Sequence, residues 1–127
     1  MNPVAVLGVG IDLVDVDRFR VSLARTPSMR ERMFTEDERA YAETANDPAE
    51  RYAARFAAKE AVMKAMGVGL GAFGFHDVSV LRDDGGRPSL LVVGAAELLA
   101  VERGVQAWQI SLTHTAMSAG AVVVALG

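Results

Sequence analysis

The chain has 127 residues, about half of them apolar, and a net charge of −3, proportions that suit one domain with a core of its own. It has no cysteine, which excludes disulfides, thiolate metal sites and cysteine nucleophiles and fits a reducing cytosol. An acidic chain with few aromatics argues against nucleic-acid binding, and its longest apolar run, Ala119 to Leu126, is far too short to span a bilayer.

Val4 to Ile11 predicts a buried strand with Asp12 at its end. No basic segment precedes it, so it reads as a strand rather than a signal peptide. Asp15 to Ala24 predicts a short helix, with Phe19 and Leu23 turned inward. Pro27 interrupts it, and Ser28 opens a further turn reaching Phe34. Thr35, followed three residues later by Glu38, is a capping box that starts a helix over Glu36 to Thr44. Asn46-Asp47-Pro48 ends that helix and opens the clearest one, the alanine-rich Ala49 to Met66. The glycines of Gly67-Val68-Gly69-Leu70-Gly71 close it. Val78 to Leu81 and Ser89 to Val93 predict strands around an Asp83-Asp84-Gly85-Gly86 turn. A helix over Gly94 to Arg103 and strands over Val105 to Leu112 and Ala119 to Leu126 complete the chain. The order predicts one α+β domain over 1–127, an antiparallel-rich sheet packed with a long central helix.

Charge is unevenly spread. Residues 18 to 32 hold Arg18, Arg20, Arg25, Arg30 and Arg32 against Glu31 alone, a basic island of +4 on an acidic chain. Such an island suits an acidic partner, and arginine suits bidentate contact with carboxylate or phosphate. The alternative is a solvated helix face.

Three groups of residues could carry chemistry. Asp12 follows Gly10-Ile11 at a strand end, where a rigid element holds the carboxylate and glycine lets ligand or backbone come close. A helix-capping aspartate is the plain alternative. Arg55, Lys59, Glu60 and Lys64 lie on the long helix at one-turn spacings, amid small apolar residues. A carboxylate between two ammonium groups suits a magnesium–phosphate site, because magnesium takes one or two carboxylates and fills its shell with water and phosphate. The plain alternative for Glu60 with Lys64 is a surface ion pair of about 0.3 kcal/mol. Ser111-Leu112-Thr113-His114-Thr115 ends a strand and offers hydroxyls and an imidazole to phosphate oxygens, with Ser111 and Thr113 on one side and His114 on the other. Against it stands an ordinary strand-end histidine. His76 receives no role, and the glycine loop follows a helix instead of opening one, so it is not a nucleotide-binding fingerprint.

The three groups together resemble the holo-(acyl-carrier-protein) synthases, the small bacterial class of 4′-phosphopantetheinyl transferases. The matching pieces are Gly8-Val9-Gly10-Ile11-Asp12 with Arg18 downstream, Arg55-Phe56-Ala57-Ala58-Lys59-Glu60-Ala61, and Ser111-Leu112-Thr113-His114-Thr115. The resemblance implies transfer of phosphopantetheine from coenzyme A to a serine of an acyl carrier protein. It implies magnesium at Asp12 and Glu60, and coenzyme A phosphates near Lys64 and His114. It implies a homotrimer with sites between subunits. Arg18 and the helix after it, with Arg25 in the same island, are the expected carrier-docking surface. Larger relatives carry a further acidic ligand two residues after the aspartate; Val14 stands there, so water is expected to complete the metal shell. Glu60 and Lys64 are the expected catalytic pair, with Arg55, Lys59, Ser111 and Thr113 as further phosphate contacts. Two rival readings are a coenzyme A module without catalysis and a purely structural oligomer.

Overall fold

The structure is a computed structural model and describes residues 4–127. In chain order its elements are β1 (Val6–Asp15), α1 (Val16–Arg25), α2 (Met29–Met33), α3 (Glu36–Ala42), α4 (Ala49–Ala65), a turn of 3₁₀ helix at Phe75–Asp77, β2 (Val78–Arg82), β3 (Pro88–Val92), α5 (Gly94–Glu102), β4 (Ala107–His114) and β5 (Ser118–Leu126). One antiparallel sheet has the order β1-β5-β4, and β2 and β3 form a separate antiparallel hairpin. The predicted α+β class holds, and the long helix is central: α4 packs on β1, β5 and the hairpin. Among the described residues no helix is long and apolar enough to cross a membrane.

Local chemistry explains the boundaries. Asp15 caps α1 by accepting the Arg18 N–H at 2.9 Å. Thr35 and Glu38 form both limbs of the capping box on α3. Gly67, with φ +70°, turns the chain out of α4 in the left-handed conformation that favours glycine.

Two apolar clusters divide the interior. One lies between the C-terminal half of α4, the three-stranded sheet, the hairpin and α5. The other gathers Phe19, Phe34 and Tyr52 beneath α1, α2 and α3.

The structure corrects the reading of β1 in two ways. The strand runs three residues past Asp12, and it is not buried: only Gly10 is, while Val9, Ile11 and Leu13 are 58%, 65% and 72% exposed. Alternation explains the exposure. Gly8, Gly10 and Asp12 face α4, and Leu7, Val9, Ile11 and Leu13 face away from it, where this chain supplies no cover. The glycines also have a definite purpose. A Cβ on Gly8 would sit 1.9 Å from the Ala65 carbonyl oxygen, and one on Gly10 would sit 1.8 Å from that of Ala61. What comes close at Gly10 is therefore the backbone of α4.

Candidate active site

That close approach brings β1 and α4 chemistry together. Asp12, opposite Ala121 of β5, meets Lys64, whose Nζ donates to Asp12 Oδ1 at 3.2 Å and to the Ile11 carbonyl at 3.0 Å. Glu60, one turn before Lys64, lines an open cavity of about 430 Å³ with Asp12, Val14, Asp15, Arg18 and Phe56. Burial pushes the Glu60 carboxyl above its usual range, Asp12's negative charge pushes the same way, and Lys64 opposes them. Two carboxylates on rigid elements, beside open solvent, fit a hard divalent cation that fills its shell with water and phosphate oxygen. A shared cation would relieve the repulsion that Glu60 feels from Asp12. Among the described residues no third carboxylate or histidine completes a ligand group, and Asp15 is engaged as a helix cap.

A second cavity, of about 600 Å³, opens farther along α4, lined by Tyr41, Arg51, Arg55, Arg82, Pro88 and His114 among others. The guanidiniums of Arg51, Arg55 and Arg82 lie 4.1, 4.4 and 4.7 Å from the Tyr41 ring centroid. Among the described residues none of the three has a carboxylate partner. Arg55 is only 3% exposed, and its Nε is buried without a hydrogen-bond acceptor. Burial pushes its proton affinity down, and Arg82 and Arg51 add to that. Three guanidiniums crowded together beside an open cavity suit a multiply charged anion such as phosphate. His114 stands at the rim, its Nδ1 3.5 Å from Glu50 Oε2.

A model of the 4′-phosphopantetheinyl transferase superfamily matches residues 8–124. The chain belongs to that superfamily. The holo-(acyl-carrier-protein) synthase of Frankia casuarinae is 50% identical to this transferase over 121 residues, 95% of this chain and 98% of the relative. The crystal structure of the Neisseria meningitidis synthase matches with a TM-score of 0.86 at 29% identity, covering 95% of this chain and 98% of that one. The Bacillus anthracis synthase, solved in complex with CoA (3′,5′-ADP), matches with a TM-score of 0.80 at 34% identity, covering 96% and 97%. The family expected from the three motifs is the family found, and so is its fold.

Within the transferase, the expected site residues divide. Asp12 and Glu60 line one cavity, with Arg18 on its wall, and Lys64 pairs with Asp12 from outside that lining. Arg55 and His114 meet at the other. Lys59 joins neither: its side chain is 0% exposed and its ammonium is paired with Glu38 at 2.8 Å. It therefore cannot reach a phosphate in either cavity. Ser111 and Thr113 are also set apart from His114. Strand alternation puts Leu112 and His114 on the arginine cavity, whereas Thr113 packs beside Leu13 and Gly120 on the opposite face of the sheet. The basic island thins as well. Arg20 pairs with Asp17 and Asp47, and Arg30 pairs with Glu43 at 3.2 Å, leaving Arg18, Arg25 and Arg32 exposed without carboxylate partners among the described residues. His76 Nε2 contacts the Glu31 carbonyl at 2.5 Å, between the 3₁₀ turn and α2. Tyr41, Arg51 and Arg82 were not expected. The four-residue spacing of Arg51 and Arg55 on α4 is the one signal that pointed to them.

Proposed function

We propose that this transferase moves 4′-phosphopantetheine from coenzyme A to a serine of an apo acyl carrier protein, releasing adenosine 3′,5′-bisphosphate, in support of fatty-acid or polyketide synthesis. The observation that carries the reading is the meeting of Asp12 and Glu60 at one open cavity, with Lys64 paired to Asp12, while the same helix, α4, carries Arg51 and Arg55 of a cluster of arginines without carboxylate partners among the described residues.

In the reaction the serine hydroxyl oxygen bonds to the phosphorus that carries pantetheine. The bond from that phosphorus to the bridging oxygen breaks, and adenosine 3′,5′-bisphosphate leaves with the electron pair. The serine proton passes to a base. Glu60 is the candidate acceptor, since burial and Asp12 raise its affinity for a proton. Asp12 and Glu60 are the residues that would hold magnesium. When bound, the ion neutralises pyrophosphate oxygens and makes the phosphorus more electrophilic. Lys64 balances charge on the departing phosphate. Arg55, with Arg51 and Arg82, holds the phosphates of the nucleotide end, and His114 closes that cavity's rim.

The exposed row Leu7, Val9, Ile11 and Leu13, continued by Val122 on the neighbouring strand, supports assembly into a homotrimer. A ligand reaching across from a second subunit is what would bring Ser111 and Thr113 into contact with coenzyme A. Arg18, on the wall of the Asp12–Glu60 cavity, and Arg25 at the end of α1 form the proposed landing for an acidic carrier.

The test is the mass gain of apo carrier protein incubated with coenzyme A and magnesium. Glu60→Gln should lower turnover by roughly 10²–10³-fold. Near-normal transfer by that variant at limiting magnesium would remove Glu60 from both of its proposed roles.

A further inference from the structure

The one wholly buried ion pair among the described residues lines neither cavity. Lys59 Nζ donates to Glu38 Oε1 at 2.8 Å, to the Phe75 carbonyl at 2.8 Å and to the Val78 carbonyl, which uses all three of its protons. Glu38 Oε1 also accepts the Thr35 N–H at 3.1 Å, and Oε2 accepts the Val80 N–H at 3.2 Å. A single pair thus ties α4 to α3, to the 3₁₀ turn and to β2.

These are the elements that carry the arginine cluster. Arg55 stands one turn before Lys59 on α4, and Tyr41 stands one turn after Glu38 on α3. Arg82 stands one strand repeat beyond Val80 on β2. The three guanidiniums around Tyr41 repel one another, so some other contact must hold their elements together. Glu38's charge also favours the charged form of Arg55, against the burial that disfavours it. We infer that the Lys59–Glu38 pair is a positioning device for the arginine cavity, holding Tyr41, Arg55 and Arg82 in one cluster and so setting affinity for the nucleotide end of coenzyme A. The inference rests on the reading of that cavity as a phosphate site.

The experiment compares Glu38→Leu/Lys59→Met with Arg82→Ala in the full chain. The double variant removes both charges at similar volume, so no unpaired charge is left inside. Coenzyme A binding is measured by calorimetry, and KM is measured separately for coenzyme A and for the carrier. The double variant should bind coenzyme A about tenfold more weakly, with KM for coenzyme A raised to match and carrier KM unchanged. Arg82→Ala should weaken coenzyme A in the same sense. Normal coenzyme A binding in the double variant, with Arg82→Ala impaired, overturns the inference and leaves the phosphate reading standing. An equal rise in both KM values indicates general loosening and also overturns it. Normal binding in both variants removes the phosphate reading and the inference with it. If the double variant fails to fold, Glu38→Gln takes its place, and the same split between the two KM values is required.

Discussion

Asp12 and Glu60 reach their cavity from a strand and a helix whose backbones nearly touch, whereas the arginines reach theirs from a helix and a strand, around a tyrosine on a third element, with all three elements joined by a buried ion pair. At the acidic cavity the functional groups are short, and their places follow from where the backbone runs. Two missing Cβ atoms, at Gly8 and Gly10, set the approach. At the arginine cavity the functional groups are long side chains stacked on one ring, and their places depend on electrostatics between elements. A site for a small divalent ion requires fixed carboxylates. A site for the phosphates of a flexible nucleotide is served by long cations that keep some freedom. The two ends of α4 should therefore fail differently.

The largest effect is expected where the backbones touch. Gly10→Val puts a side chain into the Ala61 carbonyl and must push α4 off β1. It should cost about 3 kcal/mol in urea unfolding, with transfer activity lost along with the fold. Gly74 is the control. An added Cβ there meets nothing within 4 Å and its φ is an ordinary −80°, so Gly74→Ala should change stability by less than about 0.5 kcal/mol. Comparable losses at both glycines would mean that the close approach is not what holds the acidic cavity.

A smaller effect, on binding alone, is expected at the wall of the same cavity. Arg18→Glu with Arg25→Glu should raise carrier KM by about tenfold at low salt and by less at high salt, because exposed charges act mainly on encounter. Binding of the nucleotide end, measured with adenosine 3′,5′-bisphosphate, should stay as it was, since neither arginine lines the arginine cavity. Unchanged carrier KM at low salt would take the docking surface away from α1.

How far each cavity was legible beforehand follows from the same contrast. The acidic cavity was readable because its cues are local. Gly10 precedes Asp12 by two, and Glu60 precedes Lys64 by four. The arginine cavity was mostly not readable, since Tyr41 and Arg82 come together only when α3 and β2 fold against α4. Lys59 misled for the same reason. Beside Glu60 it resembles a phosphate ligand, and its true partner Glu38 lies 21 residues away. The β1 error has another origin. An apolar run shows that a face will be covered, without showing that its own chain does the covering, and Ile11 and Leu13 stay bare here. The basic island is thinned by pairing at a distance, since Asp47 and Glu43, which take up Arg20 and Arg30, lie outside the segment whose charge was counted.

The smallest expected effect is a pH dependence at the arginine end. Tyr52 of α4 is buried, and its hydroxyl donates to Glu43 Oε1 at 2.7 Å. Burial, with help from that bond and the Glu43 charge, pushes its pKa from 10.0 up to about 12. The folded state therefore holds this proton more tightly than the unfolded chain does. The resulting stability is fully present below pH 10 and is lost as pH rises toward about 12. Tyr52→Phe has no such proton. At pH 8 it should be less stable than the parent chain by about 1 kcal/mol, the worth of one hydrogen bond. The gap should narrow as pH climbs through the interval between the two pKa values, because the unfolded parent chain releases this proton while the folded one still holds it. Urea unfolding of both chains at a series of pH values reads the gap directly. A gap that stays constant would mean that Tyr52 ionises as freely in the fold as in the unfolded chain, so that the seam between α3 and α4 is open to water. The arginine end would then need its buried ion pair all the more.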